Sequence, residues 1–145
     1  MTAFIEPIVG RYLNLEIDGR NNRVYFEEAG EGIPLVCLHT AGADGRQWRH
    51  LLTDPEITRH FRVLAFDLPW HGKSYPPAGW RGEEYRLTTA GYTETIRSFC
   101  RALELDLLQV CEAGQDWVDV PSQRGRWRRR CHDSGQGFQG TAVYR

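Results

Sequence analysis

The stretch Gln123 to Gly137, "QRGRWRRRCHDSGQG", concentrates reactive side-chain types. His132, Asp133 and Ser134 are the three residue types of a hydrolytic triad. In a triad a carboxylate orients an imidazole, and the imidazole takes the proton of a serine hydroxyl. Arg124, Arg126, Arg128, Arg129 and Arg130 surround Trp127. Guanidinium groups can neutralise phosphates, and an indole can stack on a base. Spacing weakens both readings. Triad members converge from separate segments, whereas adjacent residues of an extended chain point to opposite faces. The His-Asp-Ser run therefore reads as a polar turn. From Leu107 onward six Arg stand against Glu112, Asp116, Asp119 and Asp133, a net of only +2. No nucleic-acid-binding motif frames them, so a solvated tail without a nucleic-acid partner is expected.

Bulk properties set the class. The 145 residues suffice for one domain with a core, at 41% hydrophobic, 26% charged and net charge −1. No apolar run approaches the roughly 18 residues that span a bilayer, so no membrane partner is expected. The N-terminus, "MTAFIEPIVGRYL", lacks the basic-then-apolar order of a secretory signal. Cys37, Cys100, Cys111 and Cys131 show no metal-ligand spacing. A reduced, cytoplasmic chain without a metal is the expectation.

The elements that would position any site lie upstream. "LNLEI" (Leu13 to Ile17) alternates apolar and polar, as a half-buried strand does. "DGRNN" supplies turn residues and "RVYFEE" a second strand, together an antiparallel hairpin. "LVCLH" (Leu35 to His39) and "RVLAFD" (Arg62 to Asp67) are apolar runs suited to buried parallel strands. Between them "RQWRHLLT" predicts a short helix. Tyr92, Ile96, Phe99 and Leu103 recur at helical spacing between Thr89 and Leu105. "LLQVC" (Leu107 to Cys111) predicts a further strand. The order is that of an α/β open sheet. From Ala113 to Arg145 there is no Leu and no Ile, and no strand or helix period. Residues 1–112 are thus read as a partial α/β domain, and 113–145 as an irregular or disordered basic tail whose composition fits an out-of-frame reading.

Three segments in order carry a family resemblance. "IPLVCLHTAGADGRQW" resembles the third strand and oxyanion loop of α/β-hydrolases, with His39-Thr40-Ala41-Gly42 in place of His-Gly-x-Gly. "RVLAFDLPWHGKSYPP" resembles the next strand and its Asp-x-Pro-x-His-Gly-x-Ser loop, at Asp67, Pro69, His71, Gly72 and Ser74. "TTAGYTETIRSFCRALELD" resembles the helix before the nucleophile strand. The resemblance covers residues 20 to 106.

It implies the N-terminal portion of an α/β-hydrolase sheet, and a hydrolase of a small ester, lactone, epoxide or carbon–carbon substrate. Such chemistry needs two backbone N–H groups aimed at the oxygen that gains charge. By position one belongs to Ala41, with His39, Thr40 and Gly42 shaping its loop. The resemblance gives Asp67, His71 and Ser74 loop-holding parts, because acid and base follow the nucleophile in this family. The G-x-S-x-G elbow belongs near Gly114, where the residues read "CEAGQ". Cys111 stands about three residues early for that turn and lacks small neighbours two positions away. This chain alone is therefore expected to be inactive, truncated before the nucleophile. The alternative is a non-catalytic fragment or a small binding module with a basic tail. No cofactor is implied. An open edge after the second parallel strand, and sheet faces without covering helices, are further expectations, and with them low stability.

Overall fold

The computed structural model describes residues 3–105, and beyond them the backbone of residues 109–112, 127–128 and 141–144. Strand β1 (Val9–Ile17) and strand β2 (Arg20–Ala29) form the expected antiparallel hairpin, closed where Ile17 pairs with Arg20. Asp18 and Gly19 between them both take positive φ, 51° and 70°. That is the two-residue turn whose twist matches the strands.

Strand β3 (Ile33–Leu38) and strand β4 (Phe61–Phe66) are the two apolar runs, paired in parallel from Ile33↔Phe61 to Leu38↔Phe66. A 3-10 turn (Gly45–Trp48), helix α1 (Arg49–Thr53) and helix α2 (Pro55–Thr58) connect them. The sequence predicts one helix here. Asp54 divides the segment: its extended backbone ends α1, and its side chain caps α2 by accepting from the N–H groups of Glu56 and Ile57. Helix α3 (Thr89–Ala102) follows a long loop. Thr88 caps its start by accepting from Gly91 N–H. Its end is closed by Leu105 N–H to Cys100 O and Glu104 N–H to Arg101 O, with Glu104 at φ 54°. Strands β5 (Gln109–Glu112), β6 (Trp127–Arg128) and β7 (Thr141–Tyr144) complete a sheet of order β1-β2-β4-β3-β5-β7-β6. The short pairings of β6 and β7 come from a segment in which composition alone predicts no strand.

Side chains of β3 and β4 divide by parity, as a pleated strand requires. Val36, Leu38, Leu64 and Phe66 meet Tyr92, Ile96 and Phe99 of α3. Leu35, Cys37, Val63 and Ala65 meet Trp48, Leu51 and Leu52 on the other face. Two expectations are corrected here. The β3 and β4 faces are covered on both sides, with Leu35 and Val63 buried. Nor is β4 an edge: it lies between β2 and β3, because β2 pairs with β4 antiparallel from Phe26↔Phe66 to Ala29↔Val63. Sequential strand order conceals that partner.

The topology marks the place for a site. From β3 the chain crosses by α1 and α2 to β4 on one side, and from β4 by α3 to β5 on the other side of β3. The crossovers pack on opposite faces. Ligands of open α/β sheets bind at such a switch point, outside the carboxyl ends of the strands. The loops leaving β3 and β4 meet there.

Candidate active site

The β3 exit loop begins at His39, which is 2% exposed. Its Nε2 accepts from Leu68 N–H at 2.9 Å, and its Nδ1 lies 2.8 Å from Thr40 O. These partners fix the proton on Nδ1, where it donates to Thr40 O. Burial pushes the His39 imidazole below its ordinary pKa of 6.5, opposed by the Thr40 contact. His39 thus joins the β3 loop to the β4 loop as a neutral ring.

The next residues are held one by one. Thr40 N–H donates to Gln47 Oε1 at 3.2 Å, and Ala43 N–H to Thr40 O at 3.0 Å. Ala41 O lies 2.9 Å from His71 Nε2. Ala41 N–H has no hydrogen-bond acceptor among the described residues, and Ala41 is exposed. A fixed N–H of this kind is open to an acceptor atom on a ligand. Gly42 keeps an ordinary φ, and a Cβ there would meet nothing within 4 Å. The fold itself does not demand glycine at this position; a side chain would project into open space beside Ala41.

The β4 exit loop turns about Asp67, which is 4% exposed. One carboxylate oxygen accepts from Gly45 N–H at 2.6 Å and the other from Lys73 N–H at 2.7 Å. Ser74 Oγ donates to Asp67 O at 2.7 Å and accepts from Tyr25 N–H at 2.8 Å. Ser74 is buried, with its hydroxyl committed to a structural bond at each side. Gly72 has φ 51°, and a Cβ there would collide with the Asp67 carboxylate and with Asp44 Cβ at 2.8 Å. The motif's aspartate and glycine are therefore one packing unit. Asp44 caps the 3-10 turn by accepting from Arg46 N–H. Its carboxyl is lowered to about 2, chiefly by hydrogen bonds from the Arg46 side chain.

His71 lies between two carbonyls, Ala41 O at 2.9 Å and Pro69 O at 3.0 Å. A neutral ring can donate to one of them at a time. The His39 and His71 rings are 5.0 Å apart, and Tyr85 packs edge-on against His71 at 5.1 Å. A cavity of about 260 Å³ lies beside Asp44, Gly45, Arg46, Asp67 and Lys73 rather than at Ala41. It is floored by Tyr25 and Glu27 of β2, with Arg49 on Glu27 at 3.0 Å.

His39, Thr40, Ala41 and Gly42 are thus brought together with Asp67, His71 and Ser74. His132, Asp133 and Ser134 lie outside the described residues, as does Gly114. Trp127 and Arg128 are described as backbone of β6. Cys111 is inside strand β5, at the register position of Cys37. Among the described residues no cluster of His, Cys, Asp or Glu could hold a metal, and no helix is long and apolar enough to cross a membrane. Two contacts escape sequence reasoning: Gln47 on Thr40 N–H, and His71 on Ala41 O. Neither has a local signal, since the second joins residues thirty apart.

This strand order, with braced loops at the ends of β3 and β4, is that of the α/β-hydrolase fold. Residues 33–112 match the alpha/beta hydrolase fold family, and the chain belongs to it. Among curated proteins it is similar to the 2-hydroxy-6-oxononadienedioate/2-hydroxy-6-oxononatrienedioate hydrolase of Escherichia coli (strain K12 / DH10B). Identity there is 33% over 72 residues, covering 48% of this chain and 25% of that protein. Among solved structures it resembles a mutant N-acyl homoserine lactonase complexed with N-hexanoyl homoserine: 27% identity, TM-score 0.55, covering 70% of this chain and 35% of that one. An epoxide hydrolase from Vigna radiata shares the fold at 22% identity and TM-score 0.58, covering 78% of this chain and 33% of that one. The chain therefore spans about a quarter of the length of the curated relatives it matches.

Proposed function

We propose that residues 1–112 are the N-terminal part of a hydrolase catalytic domain, with Ala41 N–H as one of its two oxyanion donors. The carrying observation is the Thr40–Ala41 peptide: its carbonyl, Thr40 O, accepts from Ala43 N–H at 3.0 Å and lies 2.8 Å from His39 Nδ1, and its N–H, on Ala41, has no acceptor among the described residues. An N–H fixed before the reaction stabilises developing charge without reorganising. His39, Thr40 and Gly42 shape the loop. The substrate class is a small ester, lactone, epoxide or carbon–carbon bond compound, and the printed names of the relatives, which include a lactonase and an epoxide hydrolase, lie within it.

The nucleophile, acid and base of that reaction are not supplied by these 145 residues, which contain no G-x-S-x-G. The family match ends at Glu112, next to the change in composition at Ala113. This supports a boundary there and a tail of different origin. A reducing, cytoplasmic setting fits four cysteines without metal-ligand spacing and the placement of Cys37 and Cys100 in apolar clusters. The test is hydrolysis of 4-nitrophenyl acetate by the 145-residue chain. The expected rate equals that of buffer; a serine-type burst and turnover would overturn the proposal.

A further inference from the structure

We propose that Trp70 is the wall against which an aromatic group of a carbonyl ligand rests while the ligand's oxygen faces Ala41 N–H. This deepens the proposed function and rests on the oxyanion reading of Ala41. The first observation is backbone conformation. Trp70 has φ 73°, in the left-handed region where a bulky side chain is an outlier. Such conformations gather at ligand-binding and catalytic positions, where the side chain is used. His71 Nδ1 lies 3.0 Å from Pro69 O across Trp70, and His71 Nε2 lies 2.9 Å from Ala41 O.

The second observation is what surrounds the indole. Trp70 packs against Trp80 with ring centroids 5.3 Å apart and planes at 78°, and lies 6.1 Å from Tyr85. Tyr85 touches His71, so an aromatic row runs from Trp80 through Trp70 and Tyr85 to the ring that holds Ala41. This row is not a core. Trp70 is half-buried, and Trp80 and Tyr85 are 42% and 39% exposed. An edge-to-face pair leaves the faces of its edge-donating ring uncovered, and a further aromatic ring fits such a face. Of the nearby charges, Glu83 is paired with Arg20 at 2.8 Å, while Arg81, Glu84 and Arg86 stand in solvent. The ring surface of the row suits an aromatic group by stacking or edge-to-face contact.

The experiment titrates the 145-residue chain with acetophenone, which carries a carbonyl and a phenyl ring, and with acetone, which lacks the ring. Spectra follow the Ala41 amide and the Trp70 indole N–H. Acetophenone should shift both signals, acetone should bind at least tenfold more weakly, and Trp70→Gly should weaken acetophenone at least tenfold. Glycine suits the φ of position 70, and spectral dispersion reports whether the variant is folded. If it is not, magnetisation transfer from phenyl protons to the Trp70 ring in the unsubstituted chain decides, and its absence overturns the proposal. An Ala41 shift that survives unchanged in Trp70→Gly overturns the wall and leaves the oxyanion reading standing. A Trp70 shift with a silent Ala41 amide overturns the oxyanion reading and keeps the wall. Silence at both overturns both.

Discussion

His71 Nε2 lies 2.9 Å from the carbonyl oxygen of Ala41, thirty residues earlier in the chain. The Ala41–Gly42 peptide thus has its oxygen held by the β4 loop, and through its rigid plane His71 helps set the loop from Thr40 to Ala43 relative to the strand ends. Replacing His71 with Ala removes the donor. The expected outcome is a loss of about 1 kcal/mol of stability, the size of one hydrogen bond, together with shifted amide resonances from Thr40 to Ala43. Unchanged resonances there would remove His71 from any positioning role.

Asp67 predicts a larger effect. Its two carboxylate oxygens take the N–H groups of Gly45 and Lys73 inside a buried turn. Asp67→Asn keeps the shape but sets an amide NH₂ against one of those donors. The expected cost is about 2–4 kcal/mol, from one lost charge-assisted bond and one unsatisfied N–H. Urea unfolding at neutral pH measures it, and a cost below about 1 kcal/mol would mean the turn rearranges freely.

Legibility in the sequence followed locality. The hairpin was readable because its turn, Asp18-Gly19, and its alternation are neighbours in the chain. Helix α3 was readable because Tyr92, Ile96 and Phe99 repeat within one segment, and all three are buried. The loop residues of β3 and β4 were readable as motifs. What was not readable joins distant segments: β4 inserted between β2 and β3, Gln47 on Thr40, His71 on Ala41. Trp70 gave no sign either, since a positive φ at a tryptophan is not written in the residue type. Covering of the β3 face was underestimated because Trp48, Leu51 and Leu52 sit in a segment too short to read as a strong helix.

Phe99 tests the α3 face. It is fully buried, stacked on Phe66 at 4.4 Å and edge-on to Phe26 at 5.4 Å. Phe99→Ala should cost about 3–5 kcal/mol, by lost transfer energy and the cavity left behind. Phe99→Leu should cost less because more of the volume is kept. Thermal unfolding of the two variants beside the parent chain checks the order; equal midpoints for all three would place α3 off the sheet.

Cys100 packs against the same cluster, and burial pushes its thiol up to about 12. The thiolate is the reactive form, so Cys100 should alkylate slowly in the folded chain at pH 8 and readily in urea. Peptide mapping after iodoacetamide treatment reads position 100 separately from the other three cysteines. Rapid labelling of position 100 without denaturant would mean the Cys100–Leu103 end of α3 is open.

Acid should unfold the site in two separable stages. His39 has a folded pKa below 6.5, so above 6.5 both states are neutral and its contribution is complete. As pH falls below 6.5 the unfolded chain takes up the proton first, and stability declines until the folded ring also protonates. Asp44 has a folded pKa of about 2 against 3.8, so its contribution is complete above 3.8 and is lost as pH falls from 3.8 toward 2. The urea midpoint should therefore drop once below pH 6.5 and again below pH 4, roughly the ordinary carboxylate range. His39→Gln separates the stages, since an amide can accept from Leu68 N–H and donate to Thr40 O without titrating. The variant should lose the first drop and keep the second. A first drop that persists in the variant would assign it to a group other than His39.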